Sequence, residues 1–176
     1  MMEQHIILVD HEDREIGTME KMEAHRKGLL HRAFSIFIFN SNGQMLLQQR
    51  ADKKYHSAGL WANACCSHPV AGENLEKAAH RRLKEELGFE VPVEKIFSFT
   101  YRSSFENGLI EHEVDHVFAG VYNGPVLYNT SEVKAIEFLE PEEIDRRTNS
   151  NPENFTSWFL LAWPGVKEWW QTKQNY

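Results

Sequence analysis

Residues 74–90 of the chain read "NLEKAAHRRLKEELGFE". Leu75, Ala78, Ala79, Leu83 and Leu87 recur at helical spacing and Gly88 follows as a left-handed stop, so the pattern predicts a helix over 75–87 with one apolar face. Such a helix must bury that face against another layer. The flanking sequence supplies one: "HIILVD" (5–10), "RAFSIFIFN" (32–40), "QMLLQQR" (44–50), "EHEVDHVFAGVY" (111–122) and "VKAIEFLE" (133–140) are rich in β-formers. "SNG" between the second and third of these reads as a hairpin turn. Further helices are expected over 19–27 and 155–172. Strands interleaved with helices indicate an α/β layered fold with a mixed sheet.

No repeat, low-complexity tract or Pro/Gly/Ser-rich linker divides the 176 residues, so one domain over 1–176 is expected. Apolar runs such as "FSIFIF" are far short of the ~18 residues that a membrane span needs. The first residues are acidic and polar rather than a basic head followed by an apolar segment, so no export signal and a cytoplasmic location are expected. In that compartment the two cysteines, the neighbours Cys65 and Cys66, stay reduced and are free for ligation or catalysis. A net charge of -7 argues against a nucleic-acid surface. An anionic ligand must therefore be gripped by a local basic pocket.

Counted from Ser67, the helical stretch has the spacing x5-E-x7-R-x-U-x-E-E-x-G-U, filled by Glu73, Arg81, Leu83, Glu85, Glu86, Gly88 and Phe89. This resembles the Nudix box. The resemblance implies a layered α/β/α sandwich around a mixed β-sheet, with a loop-helix-loop that presents carboxylates to divalent cations held against a diphosphate. The bland alternative is a solvated helix with Arg81/Glu85 and Arg82/Glu86 ion pairs, worth only ~0.3 to 0.5 kcal/mol each. Two departures matter: Ser67 stands where the box has its first glycine, and Arg82 replaces a metal-binding glutamate. Loss of that carboxylate weakens a hydrolase, whereas an arginine there can grip an intact diphosphate.

Taken singly, His25, His31 and His68 read as surface or core histidines, and Glu111 and Glu113 as one face of a strand. Taken together with "GTMEKMEAH", "LLHRAFS", "LLQQR", "NACCSHP", the altered box, "YRSSFENGLIEHEV" and "FTSWF", they make the chain resemble the type 1 isopentenyl diphosphate isomerase family from about His5 to Trp170. The resemblance implies a double-bond shift in a small allylic or homoallylic diphosphate, through a tertiary carbocation. It puts the acid/base pair at Cys66 and Glu113, with Tyr101 near them and Trp158 against the hydrocarbon. It puts one divalent metal, Mn2+, Zn2+ or Mg2+, at His25, His31, His68, Glu111 and Glu113, and a Mg2+ bridging to the diphosphate at Glu86. Diphosphate contacts fall to Lys21, Arg50, Lys54 and Arg82. Cys65 is expected to be a small buried hydrophobe, Asp115 to be solvated, His112 and His116 to face away from the site, and the Trp-rich tail to be core apart from Trp158. The competing readings are a Nudix pyrophosphohydrolase on a nucleotide-like diphosphate and a metal-binding module without turnover. No oligomeric state follows from the sequence.

Overall fold

A computed structural model describes residues 3–176. In chain order it contains β1 (His5–Val9), β2 (Glu15–Glu20), α1 (Lys21–Lys27), β3 (His31–Phe39), β4 (Met45–Arg50), β5 (Trp61–Ala62), β6 (Cys65–Ser67), α2 (Leu75–Leu87), β7 (Glu94–Ser104), β8 (Ile110–Val121), β9 (Val133–Leu139), α3 (Pro141–Ser150) and α4 (Ser157–Gln174). β3 and β8 run parallel from His31↔Glu113 to Phe39↔Val121, and β7 adds antiparallel to β8. The other edge of β3 is shared along its length: β1 pairs at His31, β6 over Phe34 to Ile36, and β4 only at Phe39. Both β9 and β5 then pair with β4. The sheet is mixed, as the layered reading requires.

Side-chain alternation sorts the two faces of this sheet. Phe37, Phe39, Val117 and Ala119 pack with Tyr101 beneath α4, through Trp158, Phe159, Ala162 and Trp163. Phe34, Ile36, Ile38 and Phe118 pack beneath α2, through Ala78, Ala79, Leu83 and Leu87. This is the α/β/α sandwich. Burying Leu83 and Leu87 stabilises the α2 face by ~1.5 to 3 kcal/mol each. Gly88 ends α2 at φ 75°, the left-handed stop expected of it.

Several boundaries differ from the sequence reading. α1 begins at Lys21, because Met19 and Glu20 pair with Ile6 and His5 and the Glu20 carboxylate caps the helix by accepting from Met22 N and Glu23 N. α4 begins at Ser157, since Phe155 bridges to Trp61 and Thr156 N donates to Trp61 O. The Asn40–Gln44 turn is present, but β3 and β4 share one residue pair and diverge to separate partners. β2, β5, β6, β7 and α3 were not anticipated.

Candidate active site

The register of the sheet assembles the site. Glu113 stands between His31 on β3 and Tyr101 on β7, its Cα partners on either side. Cys66 pairs with Ser35 further along β3, and His68 follows β6 directly. Tyr101 Oη lies 2.7 Å from Glu113 Oε2 and 2.9 Å from Glu111 Oε2, so its single hydroxyl proton is shared between two carboxylates of one strand face.

The other oxygen of Glu113 meets the histidines. His68 Nε2 lies 2.9 Å and His31 Nε2 3.2 Å from Glu113 Oε1, and the two nitrogens are 3.2 Å apart. The His31 Nδ1–H donates to Leu29 O at 2.8 Å and the His25 Nδ1–H to Lys21 O at 2.7 Å, since a carbonyl only accepts. That fixes a lone pair on the Nε2 of each neutral ring. Two donors ~2.1 Å from one ion at a right angle stand about 3.0 Å apart, close to all three sides of this triangle. His25 joins the other three within 4.8 Å, its Nε2 buried without a hydrogen-bond partner. The donor set fits a divalent cation. Burial holds His25 down at about 4 and His68 at about 3, so both are neutral and available as ligands. Burial pushes Glu113 up, but His31 and His68 beside it outweigh that and hold the carboxyl well below its usual range. Burial lowers His31 in turn, yet Glu113 more than offsets this and raises it, so without a cation His31 Nε2 carries the proton that a bound cation would displace.

Beside this cluster a cavity of about 50 Å³ is lined by Lys21, Arg50, Lys54, Cys66, His68, Arg82, Glu86, Tyr101, Glu111, Glu113 and Trp158, together with Phe34, Ser35, Tyr55, His56 and Ser67. It therefore gathers eleven of the residues nominated from sequence; His25 and His31 lie outside the lining, 0% exposed. Four of the lining side chains are cations. Burial, with Lys54 and Arg82 nearby, lowers Lys21 to about 8. In this state the cations are paired internally: Lys54 with Glu132, Arg82 with Glu86 and Glu85, while Arg50 donates to Cys66 Sγ at 3.7 Å and His56 O at 3.2 Å. The space holds only a few waters.

The NUDIX domain model matches residues 29–159. A protein of Pectobacterium atrosepticum named isopentenyl-diphosphate Delta-isomerase is 50% identical over 166 residues, 94% of this chain and 93% of its own length. Serratia proteamaculans has one of that name at 48%, covering 90% of this chain and 89% of its own length. The chain belongs to the isopentenyl-diphosphate Delta-isomerase family of NUDIX proteins. Solved structures share the fold at low identity: one from Deinococcus radiodurans has TM-score 0.70 at 22% identity, covering 84% of this chain and 90% of its own. A MutT protein from Methanosarcina mazei has TM-score 0.65 at 17%, covering 84% and 96%.

In this isomerase-family chain the two box arginines make different contacts. Arg81 forks onto Glu73 through Nε at 2.8 Å and Nη2 at 2.9 Å, tying the loop before α2 to the helix. Burial works against the charge of Arg82, and Glu86 more than offsets it, so Arg82 stays a guanidinium beside the box carboxylate. Gln48 Nε2 donates to the other Glu86 oxygen at 3.0 Å.

Other expectations resolve unevenly. Cys65 is fully buried among the residues beneath α2, as expected. His112 and His116 turn away, to Gly28 O and Asp13. Asp115 is not solvated: it is 1% exposed and accepts from Ser35 Oγ at 2.7 Å, because its strand face is closed by β3 and β7 there; burial raises its pKa well above the usual range. Glu111 falls outside the four-residue cluster and joins His25 and His56 instead. His56 was missed, for a lone histidine in "KKYHSAG" has no periodicity or partner in sequence to mark it.

Proposed function

We propose that this cavity is where the chain interconverts isopentenyl diphosphate and dimethylallyl diphosphate, as a single-domain cytoplasmic enzyme that acts on a small diphosphate without nucleic-acid or membrane partners. The diphosphate lies among Lys21, Arg50, Lys54 and Arg82, and the five-carbon chain among Cys66, Glu113 and Trp158. One observation carries the reading: a single cavity joins four cations to a thiol, a carboxylate and an indole face. No helix among the described residues is long and apolar enough to cross a membrane.

An alkene is a very weak base, so the shift needs one C–H bond formed and another broken at an allylic carbon, with a tertiary cation between. Burial pushes the Cys66 thiol up to about 12, against the pull of Arg50, so it carries a proton. Glu113 is ionised, with the Tyr101 hydroxyl against it. The pair thus holds one proton to deliver and one place to receive one, which balances the reaction and leaves the diphosphate untouched. Trp158, 2% exposed, offers the cation a π face and helps to exclude water. A divalent cation at His25, His31, His68, Glu111 and Glu113 supplies fixed positive charge beside the carboxylates. That imidazole-rich set suits Zn2+ or Mn2+, and the Glu86 oxygen suits Mg2+ beside a diphosphate.

The test is NMR of the protein with divalent metal and isopentenyl diphosphate in deuterated water. Deuterium entry with an intact diphosphate is expected. Phosphate release without double-bond migration would instead establish the pyrophosphohydrolase.

A further inference from the structure

Asn63, between β5 and β6, is 1% exposed, and both polar atoms of its amide are used. Its Nδ2 donates to Cys65 O at 2.7 Å and to Ile36 O at 3.0 Å, and its Oδ1 accepts from Trp158 Nε1 at 3.2 Å. Both partners of Nδ2 are carbonyl oxygens, which only accept, and an indole nitrogen only donates, so the chemistry leaves the amide one orientation. Ile36 and Cys65 face each other across β3 and β6, so the amide spans the seam between those strands. Cys65 O belongs to the peptide unit that joins Cys65 to Cys66. One side chain thus holds both the ring of Trp158 and the backbone of Cys66.

We propose that Asn63 is a positioning residue for the isomerisation: its amide aims the Trp158 face at the carbon that becomes cationic and fixes that face relative to Cys66. The inference rests on the isomerase reading above and adds to it the residue that orients its indole. Asn63 is not in the cavity lining, so it acts through the two residues it holds. Burial leaves the indole N–H no water to turn to, and the Asn63 oxygen is its one hydrogen-bond acceptor among the described residues. Without that oxygen the ring rotates toward another acceptor, since an unpaired buried donor costs more than a change of rotamer. Such a rotation takes the π face off the hydrocarbon. Donation from Nε1 also leaves the ring richer in electrons, which strengthens its pull on a cation at its face.

The test is a double-mutant cycle with Trp158→Phe, read as kcat and KM for isopentenyl diphosphate. A phenyl ring has no N–H to satisfy, so packing alone sets its place. Asn63→Leu, close to the native side chain in shape, is expected to lower kcat about tenfold in wild type with KM changed less than about twofold, and to lower kcat less than about twofold beside Trp158→Phe. Equal losses in the two backgrounds overturn the inference, because Asn63 would then act only by joining β3 to β6. An unchanged kcat in Asn63→Leu overturns it as well. NMR of 15N-labelled protein gives a readout independent of turnover: the indole N–H signal that disappears in Trp158→Phe belongs to Trp158, and it is the indole signal expected to move most in Asn63→Leu. A Trp158 signal that stays in place in the folded variant overturns the inference. So does a Trp158 indole proton that exchanges in heavy water as fast as that of free tryptophan, a measurement on wild type that needs no change at residue 63 to fold. If wild type turns over no isopentenyl diphosphate, the isomerase reading falls and this inference with it.

Discussion

The guanidinium of Arg50 lies 5.1 Å from the centroid of the Trp158 ring, and the same group donates to Cys66 Sγ. A cation therefore already rests on the indole that the proposed reaction uses to face a carbocation. In the proposed reaction the hydrocarbon would take that face and the Arg50 charge would turn to the diphosphate.

Trp158→Leu is expected to lower kcat by roughly thirtyfold with a smaller change in KM, the loss of ~2 kcal/mol of cation-π stabilisation in the transition state. Trp158→Phe should keep most of the rate. Steady-state kinetics on folded protein check this; equal kcat for the leucine variant and wild type would remove Trp158 from the chemistry.

Cys66→Ala and Glu113→Gln should each reduce isomerisation by more than the ~10⁴-fold that bounds ordinary general acid/base help, because proton transfer is itself the reaction. Cys65→Ala, a change at a fully buried residue on the α2 side, should stay within about tenfold of wild type. Deuterium incorporation in heavy water measures all three, and near-normal exchange by Cys66→Ala would overthrow the acid/base assignment.

The pH dependence of binding should follow Lys21. Its pKa is depressed to about 8 in the free protein, so its positive charge is present below pH 8 and lost as pH rises through that value. KM is expected to climb above pH 8. A bound diphosphate stabilises the ammonium, so kcat should vary less over the same range. Lys21→Arg, which keeps its charge, should flatten the rise. A KM profile identical in the two proteins would place the titrating group elsewhere.

Arg82→Glu should abolish isomerisation without creating a hydrolase. The variant faces Glu85, Glu86 and Glu132 with a fourth carboxylate and repels the diphosphate. Parallel assays of double-bond migration and phosphate release, with circular dichroism to verify folding, decide it. Full isomerase activity would reduce Arg82 to a helix ion-pair partner.

Divalent metal should raise the melting temperature, since it binds the assembled His25, His31, His68, Glu113 cluster and not the unfolded chain. Metal at ~100 times its Kd adds about 2.7 kcal/mol. Calorimetry before and after chelation measures the shift. An unchanged melting temperature in wild type would argue against a metal there.

Sequence alone marked out α2 to the residue, from Leu75 to the Gly88 stop, because helical periodicity and capping are properties of neighbours within a turn or two. The motifs that resemble the isomerase family also pointed to eleven of the residues that line the cavity, but not to Phe34, Ser35, Tyr55, His56 or Ser67 in the same lining. What the sequence could not mark out is partner choice. β3 and β4 look like a hairpin, yet they diverge, since the edges of β3 are taken by β6, 29 to 33 residues on, and β8, 82 residues on. Asp115 shares its strand face with Glu111 and Glu113 and looks solvated; only the closing of Ser35 and Phe99 over it buries it. His56 is a lone loop histidine until the fold brings Glu111 and His25 to its Nε2. Backbone periodicity is written locally, but burial and contact belong to the closed tertiary structure, where a side chain's surroundings come from segments that no local pattern links to it.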